Sequence, residues 1–409
     1  MSETTVTAPR IDSIDVLRGL TILAMLFVND LAGVAGVPAW LKHVEPPLSD
    51  GMTAVDVVFP AFLFIVGMAI PAAHARWLAA GRTLAQIGYH VVTRAAGLLI
   101  IGLLMVNAEH RAPNGPLPGN LWALLMYVAV LAVWQVVPRA GRGRRVALAG
   151  RWVGVAVLVG LAFLYRGDGA PGLIELRPRW WGILGLIGWA YLVATTAHLA
   201  LRGRRTGLLG SMALLYCLYA AYSVDALPWF PEWVNGAMLG SLAAVTVAGA
   251  VLGTVLVPGA PVAPADRAVR WGLLYAAGLA LAGFLLHALA PVHRIFTYNK
   301  ILATIPWCLH SSAITAAVWT GVTWVTEVRG CRRWSRGVTR AGQCALFAYL
   351  LAPVAGLLLQ YLPQALGGHD PYGALGLSFG PGLCRSAGFA VAIAWLAVRL
   401  RGLGLGPRL

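Results

Sequence analysis

"TAVDVVFPAFLFIVGMAIPAAHA" runs from Thr53 to Ala75, and between Asp56 and His74 it holds no ionisable side chain. About 20 consecutive apolar residues suffice for a helix to cross a bilayer, at roughly 1.5 Å of rise per residue. The stretch therefore predicts a membrane span with a carboxylate at one end and an imidazole at the other. Reading outward, the connection before it, "NDLAGVAGVPAWLKHVEPPLSDGM" (Asn29–Met52), gathers Asn29, Asp30, Lys42, His43, Glu45 and Asp50 between two greasy runs.

The rest of the chain is of the same kind. Its 409 residues are 59% hydrophobic and only 11% charged, with a mean hydropathy of +0.75. A soluble chain would be about a quarter charged, so the fold class is all-α, a polytopic helical membrane protein read as one integral membrane domain over 1–409. Twelve spans are expected, near 16–35, 53–75, 91–106, 121–137, 146–165, 181–201, 208–222, 234–256, 271–290, 301–325, 342–362 and 386–400. The seventh is the shortest; eleven spans would be the other count, with the uncertainty around 181–222. The first ten residues, MSETTVTAPR, lack the apolar core of a signal peptide, so the first helix is expected to be retained.

Lys and Arg orient the spans. With the N-terminus in the cytoplasm, 23 of the 31 basic residues fall at inner connections, Arg10, Arg18, Arg94, Arg139, Arg142, Arg333 and Arg408 among them. Eight fall outside: Lys42, Arg111, Arg166, Arg177, Arg179, Arg294, Lys300 and Arg385. This is the positive-inside bias, and it puts both termini in the cytoplasm. It also accounts for the net charge of +16 without nucleic acid. Five Cys (Cys217, Cys308, Cys331, Cys344, Cys384) show no CxxC spacing and are expected to be buried as small hydrophobes.

In this orientation the Asn29–Met52 connection faces outward, with Asn107, Glu109, His110, His287, His293, Asn299, Lys300, His310, His369 and Asp370 on the same side. Ionisable groups near membrane depth are costly and face a cavity or a partner. His110, His293 and His369 read as ordinary loop residues, His74 and His90 as inner headgroup residues, and Asp30 and Glu45 as solvated. His43 differs, because Asn29 and Asp56 bracket it at two helix ends that a short connection must bring together. A His with a carboxylate partner is a general base, and an Asn beside it can donate to an oxyanion; the competing reading is that His43 merely caps a loop. No HExxH or other closely spaced ligand set predicts a metal. On the inner side Asp15 and Arg18 begin the first span and Arg94 the third, where Arg suits phosphate. From Arg18 to Asn29 is roughly 16 Å of helix, which fits a long, thin ligand such as a pantetheine thioester.

Several of these stretches resemble a known family. "IDVLRGLTILAMLFVN" (Ile14–Asn29), the His43 that follows, and "TAVDVVFPAFLFIVGMAI" (Thr53–Ile70) resemble the signature of the heparan-α-glucosaminide N-acetyltransferase-like membrane acyltransferases. "RAAGLLIIGLLMVN" (Arg94–Asn107), "NKILATIPWCLHSSAITAAVWTGVTWVTEVRG" (Asn299–Gly330) and "GQCALFAYLLAP" (Gly342–Pro353) resemble its later helices, and "WVNGAMLGSLAAVTVAGAVLG" (Trp233–Gly253) resembles a bacterial branch.

The resemblance implies an acyltransferase that takes acetyl-CoA as its donor, needs no metal, and acetylates an amino sugar or glycan across a bacterial inner membrane. It implies His43, Asn29 and Asp56 at the reaction centre and Asp15, Arg18 and Arg94 near coenzyme A. Asn107, Glu109, Asn299, Lys300 and His310 are the expected acceptor-side residues. Lipid and a sugar or glycan are the expected partners, with a homodimer as the family state and no role for nucleic acid. The sequence departs from the family in a longer insert after His43 (Glu45, Pro46, Pro47) and in Cys344 where relatives often carry Asn. The competing function is a twelve-helix transporter or flippase for a small polar or lipid-linked solute, although such sites lie near the midplane of repeated halves.

The basic-residue bias has a direct test. Cysteines introduced at His43 and His369 should react with a membrane-impermeant maleimide in intact cells, and those at Arg142 and Arg333 should not. Labelling at the Arg142 position would refute the orientation.

Overall fold

The computed structural model describes residues 12–112, 115–138, 140–167, 172–231, 235–256 and 265–407. The N-terminal decapeptide with Arg10, and Arg139, Val234 and Arg408, lie outside the described residues. Among the described residues the structure is helical, without a strand, in fourteen α-helices. They are α1 (Asp12–Leu31), α2 (Val58–Ala79), α3 (Leu84–Ala108), α4 (Gly119–Trp134), α5 (Gly141–Leu164), α6 (Gly182–Ala200) and α7 (Arg205–Ser223). There follow α8 (Leu242–Gly253), α9 (Ala265–His287), α10 (Ile305–Thr323), α11 (Ser335–Gln343), α12 (Ala345–Ala365), α13 (Pro371–Leu375) and α14 (Phe379–Gly402).

The protein is a polytopic helical membrane protein. Among the described residues nine helical segments are long and apolar enough to cross a bilayer: α2, α3, α5, α6, α7, α8 with its flanking turns, α9, α12 and α14. The other three expected spans are also helices. The α4 helix is short at 16 residues. The α1 helix is diluted by Asp12, Asp15, Arg18 and Asp30, and α10 by His310, Ser311, Ser312 and three Thr. The seventh expected span proves a full 19-residue helix.

The boundaries of the eleventh span differ from expectation. The helical run breaks at Cys344, so a short polar helix, α11, precedes α12. Another short helix, α13, follows Asp370, whose Oδ1 accepts the Gly373 N–H at 2.8 Å and so caps it. Cys308 and Cys344 are buried as expected, whereas Cys217, Cys331 and Cys384 are exposed; Cys217 and Cys384 lie on helix surfaces, and Cys331 lies in the loop before α11.

The chain forms two compact units, each assembled from separated segments. One comprises Met1–Thr21, His43–Thr93 and Trp189–Gly342, the other Ile22–Lys42, Arg94–Gly188 and Gln343–Leu409. In the first, α8 is the central element, and all twelve of its residues are buried. It packs on α2, α7 and α10, while α9 packs on α10. Its sequence, LAAVTVAGAVLG, is rich in small side chains, which lets helix backbones approach closely where no hydrophobic effect separates lipid from protein. A π-helical turn, Ala237–Ser241, leads into α8, and a second one, Trp324–Val328, ends α10.

The second unit is centred on Leu98, Ile101, Trp122, Met126, Leu161 and Leu184. There Trp122 Nε1 donates to the Leu161 carbonyl at 3.0 Å, so its indole is buried without an orphaned donor. Its α5 is strongly apolar yet only 17% of its apolar window is buried, against 83% for α8. Trp152 and Val153 on α5 are open to the surroundings, as a lipid-facing helix requires.

The α2–α8 contact depends on glycines, Gly67, Gly249 and Gly253 among them. A Cβ at Gly67 would overlap the Thr246 carbonyl, and one at Gly249 would overlap the Phe64 carbonyl. Backbone cannot yield as a flexible side chain can. Gly67→Ala and Gly249→Ala should each cost about 1–3 kcal/mol of stability, read as a lower melting temperature in detergent. Gly210→Ala on α7, where the added methyl meets nothing within 4 Å, should be neutral or slightly stabilising. Equal melting temperatures for all three variants would overturn this account of the packing.

Candidate functional site

The second span starts as a turn. The Thr53 backbone N–H and hydroxyl both donate to Asp56 Oδ2, at 3.0 and 3.1 Å. This Thr-x-x-Asp reach-back is the acid's half of a capping box, and it satisfies the Thr53 N–H that a helix start would otherwise leave open. A 3-10 turn, Val55–Val57, then leads into α2. The turn faces the remaining carboxylate oxygen toward the connection before it. There His43 Nδ1 lies 2.7 Å from Asp56 Oδ1. Only 1% of the Asp56 side chain is exposed, against 50% of the His43 side chain.

The pairing has a chemical consequence. A carboxylate accepts hydrogen bonds, so Nδ1 carries the proton and the neutral ring keeps its lone pair on Nε2. A buried anion that fixes the tautomer and ring orientation, with an accessible Nε2 opposite, is the arrangement a general base needs. Lys300 Nζ also lies 3.7 Å from Asp56 Oδ1. Burial pushes the Lys300 pKa below the usual lysine value, and Asp56 partly opposes that shift.

Asn299 holds Lys300 in place. Its Nδ2 donates to the carbonyls of Pro47 and Ser49 at 2.9 and 3.1 Å, and its Oδ1 accepts the Leu302 N–H at 2.9 Å. All its side-chain polar atoms are committed to backbone, so this residue splices the loop after His43 to the turn before α10. The Asn299 N–H donates to Thr304 Oγ1 at 3.0 Å, and the Thr304 hydroxyl donates to the Thr297 carbonyl at 2.6 Å.

A second cluster adjoins this splice. Asp50 accepts the Tyr298 N–H at 2.7 Å and pairs with His287 Nε2 at 2.9 Å. The Tyr298 ring stacks on His287 at 4.1 Å between centroids, and its hydroxyl lies 3.5 Å from His310 Nε2. His310 Nδ1 donates to the Pro306 carbonyl at 3.2 Å. Sequence reasoning named His310 and His287 but found no partner for either. The partners Asp50 and Tyr298 come from distant loops, and no spacing rule links them. Thr53 was legible, because Ser/Thr three residues before an acid at a helix start is a capping signature. His43, Asp56, Asn299, Lys300 and His310 all belong to the first unit.

Asn29 belongs to the second unit, exposed in the last turn of α1. The neighbouring Asp30 is not solvated as expected. It accepts the Tyr372 and Ser386 hydroxyls at 2.5 and 2.6 Å and pairs with Arg385 at 3.2 Å. Arg385 in turn lies over the Tyr372 ring, 4.6 Å from its centroid. Three side chains thus immobilise the turn that bears Asn29. Asn107 is fully buried in the same unit. It donates to the Leu103 and Arg177 carbonyls, each at 2.8 Å, and accepts the Arg177 N–H at 3.2 Å, which makes it a loop latch. Glu109 is exposed just beyond α3.

At the opposite end of the chain's first helix, Arg18 pairs with Asp15 at 2.8 Å, within the first unit. One carboxylate oxygen engages one edge of a guanidinium that carries five donors. Arg94 is half-buried in α3, in the second unit. His74 departs from the headgroup expectation: it is 2% exposed, and its Nδ1 lies 2.8 Å from that of His198. Among the described residues no group of three His, Cys, Asp or Glu could hold a metal.

Comparison with known proteins agrees with the family resemblance. A family described as a domain of unknown function, DUF5009, matches residues 10–175. The chain is 30% identical to heparan-alpha-glucosaminide N-acetyltransferase of Homo sapiens over 188 residues, covering 40% of this chain and 27% of the human protein. It is 33% identical to the Mus musculus protein of that name over 144 residues, covering 32% of this chain and 21% of the mouse protein. The chain thus spans about a quarter of the length of the curated relatives it matches.

Proposed function

We propose that this protein is a transmembrane acetyltransferase, passing an acetyl group from cytosolic acetyl-CoA to an amino sugar or other glycan at the outer face of a bacterial inner membrane. The observation that carries the reading is the pair of a buried Asp56 and a half-exposed His43, 2.7 Å apart. Similarity to two proteins named as N-acetyltransferases supports the reaction type. The outward orientation of His43 rests on the positive-inside bias.

The chemistry follows from the dyad. The acceptor amine or hydroxyl attacks the thioester carbonyl, and His43 Nε2 removes its proton. Asp56 stabilises the imidazolium so formed. Asn29, on a turn braced by Asp30, donates to the oxyanion of the tetrahedral intermediate. Collapse expels the coenzyme A thiolate, which takes the proton back from His43, leaving an amide or ester and free coenzyme A. Transfer through an acetyl group on Nε2 is the other route, and a burst of free coenzyme A in the absence of acceptor would identify it. Arg18 and Arg94 bind the cofactor's phosphates, with Asp15 orienting Arg18. The protein works as a homodimer.

The decisive assay is mass spectrometry of glycans incubated with sealed vesicles and isotope-labelled acetyl-CoA supplied on the cytoplasmic side. Labelled acetyl on an outer-face sugar is expected; export of an unmodified solute would instead identify a transporter. His43→Ala should lower kcat by about 10²–10⁴ while acetyl-CoA still binds. Asn29→Ala should cost roughly 10²–10³. An imidazole limb in the pH–rate profile should vanish in the His43 variant. Near-parental turnover by His43→Ala would sink the assignment.

The cofactor assignment predicts a different kinetic signature. Arg18→Ala should raise KM for acetyl-CoA several-fold and leave kcat nearly intact, because phosphate contacts far from the thioester contribute uniform binding. Unchanged coenzyme A affinity in the purified variant would show that the phosphates bind elsewhere.

A further inference from the structure

The first unit contains a cavity of about 410 Å³ beside the dyad's supporting loop. One wall is the end of α7 and the segment after it, with Tyr219, Tyr222, Asp225, Phe230 and Asn235. The other is the segment from Arg294 to Leu302. Its volume lies within the usual range for small-molecule sites, about 300–1,000 Å³.

The cavity is mechanically joined to the reaction centre. Ile301 and Leu302 line it, and they directly follow Lys300, whose Nζ is 3.7 Å from Asp56. Successive Cα atoms are about 3.8 Å apart, so the cavity wall and the dyad's cation are separated by one or two residues. The Tyr219 hydroxyl donates to the Leu302 carbonyl at 2.8 Å, fixing wall to wall. The Asn299 splice fixes the same turn to the loop after His43.

Two non-glycine residues at this cavity adopt left-handed backbone: Asp225 at φ 57° and Ala303, next to Leu302, at φ 50°. Such conformations cost on the order of 1–3 kcal/mol each, persist only where surroundings enforce them, and cluster at ligand sites.

The lining selects a ligand class. Tyr222 and Phe230 both line it and meet edge to face, with centroids 5.7 Å apart, and an aromatic ring face of negative potential suits polarised C–H groups. Arg294, Asp225 and Asn235 supply both donors and acceptors. A lipid chain would make no use of these polar groups, and a bare anion would be repelled by Asp225 and gain nothing from two aromatic rings. A pyranose matches both halves, having apolar C–H faces and a rim of hydroxyls that donate and accept.

We propose that this cavity is a carbohydrate subsite, with Tyr222 and Phe230 against a pyranose face and Arg294, Asp225 and Asn235 on its hydroxyls. It rests on the reading of the acceptor as a sugar and adds where that sugar is held. Its wall residues Ile301 and Leu302 directly follow Lys300 in the chain, which ties the subsite to the segment that carries the dyad's cation.

The experiment is direct binding, independent of turnover. Purified protein in nanodiscs is titrated with a panel of glucosamine, N-acetylglucosamine, glucose, mannose and chitobiose, using saturation-transfer NMR. At least one sugar should bind. Arg294→Ala and Phe230→Ala should each weaken it ten-fold or more with melting temperature retained, and His43→Ala should leave it unchanged. Arg294 is exposed, so its variant remains informative if Phe230→Ala misfolds. Sugar binding lost in the cavity variants but without acetyl transfer would uphold the subsite and refute the acetyltransferase reading. Acetyl transfer whose acceptor KM is unchanged in both cavity variants would do the reverse. No sugar bound, or displacement by a short-chain phospholipid instead, would overturn the subsite.

Discussion

An ionised carboxylate removed from water costs several kcal/mol unless it is paired and hydrogen-bonded, and Asp56 is almost wholly removed. The end of the first unit that carries Asp56 is arranged around that cost. Thr53 gives two hydrogen bonds from the turn just before α2. His43 reaches in from the connection after α1, and Lys300 from the turn before α10. One buried acid thereby ties its own turn and the connection before it to the distant turn that precedes α10. Asn299 and Asp50 repeat the tie with bonds from the same two loops. A short polar connection between greasy helices would otherwise be the most mobile part of a membrane protein; here it is bonded at several points to the turn that precedes α10.

The rest of the first unit supplies rigidity behind this end. The α8 helix, small-residued and wholly buried, lets α2 lie against it with backbone nearly touching backbone. The helix that begins with Asp56 is therefore held along its length by packing as well as at its tip by charge. Polar groups are not confined to the tip: His74, near the other end of α2, meets His198. Two imidazoles sharing one Nδ1···Nδ1 contact must act as one donor and one acceptor, so at most one of them can be protonated there without breaking the bond. This pair satisfies itself within the protein, whereas His43 turns half of its side chain outward.

Much of this was readable before any coordinates. Hydrophobic run length gave the helices, because a bilayer demands long uninterrupted apolar segments. The Asp56–His43 pairing was legible because the connection is short and both residues flank one helix start. What escaped were contacts made across long sequence distances by single side chains. Asp30 read as a solvated loop acid, yet Tyr372, Arg385 and Ser386 clamp it. His74 read as a headgroup residue because nothing in one sequence announces that His198 faces it. Asn107 and Asn299 read as acceptor-side residues, and their amides proved to be spent on backbone carbonyls. An Asn at a helix end looks the same in sequence whether it binds a ligand or latches a loop. The break at Cys344 was hidden by an apolar run that continues on the far side of it.

In the proposed transfer Asp56 stabilises the imidazolium on His43, and Lys300, which works against that charge, sets the net charge of the cluster. Before proton transfer, Asp56 and Lys300 together are neutral and His43 is uncharged. In the proposed reaction the three would carry one net positive charge after transfer, opposite the negative charge that would grow on the attacked carbonyl oxygen. If Asp56 and His43 stood alone, they would start at one negative charge and end neutral, and would offer the oxyanion no net attraction. Burial already presses the Lys300 ammonium toward its neutral form, and Asp56 opposes that loss. The same carboxylate that orients His43 thus also keeps a cation in place beside it. At partial burial a charge a few ångströms away is worth several times what it would be in water, so the sign of the cluster during transfer matters more than any single hydrogen bond within it. Asp56 Oδ1 is shared by His43 and Lys300, so in the proposed reaction it is the atom through which orientation of the base and the charge balance of the transition state would be set together.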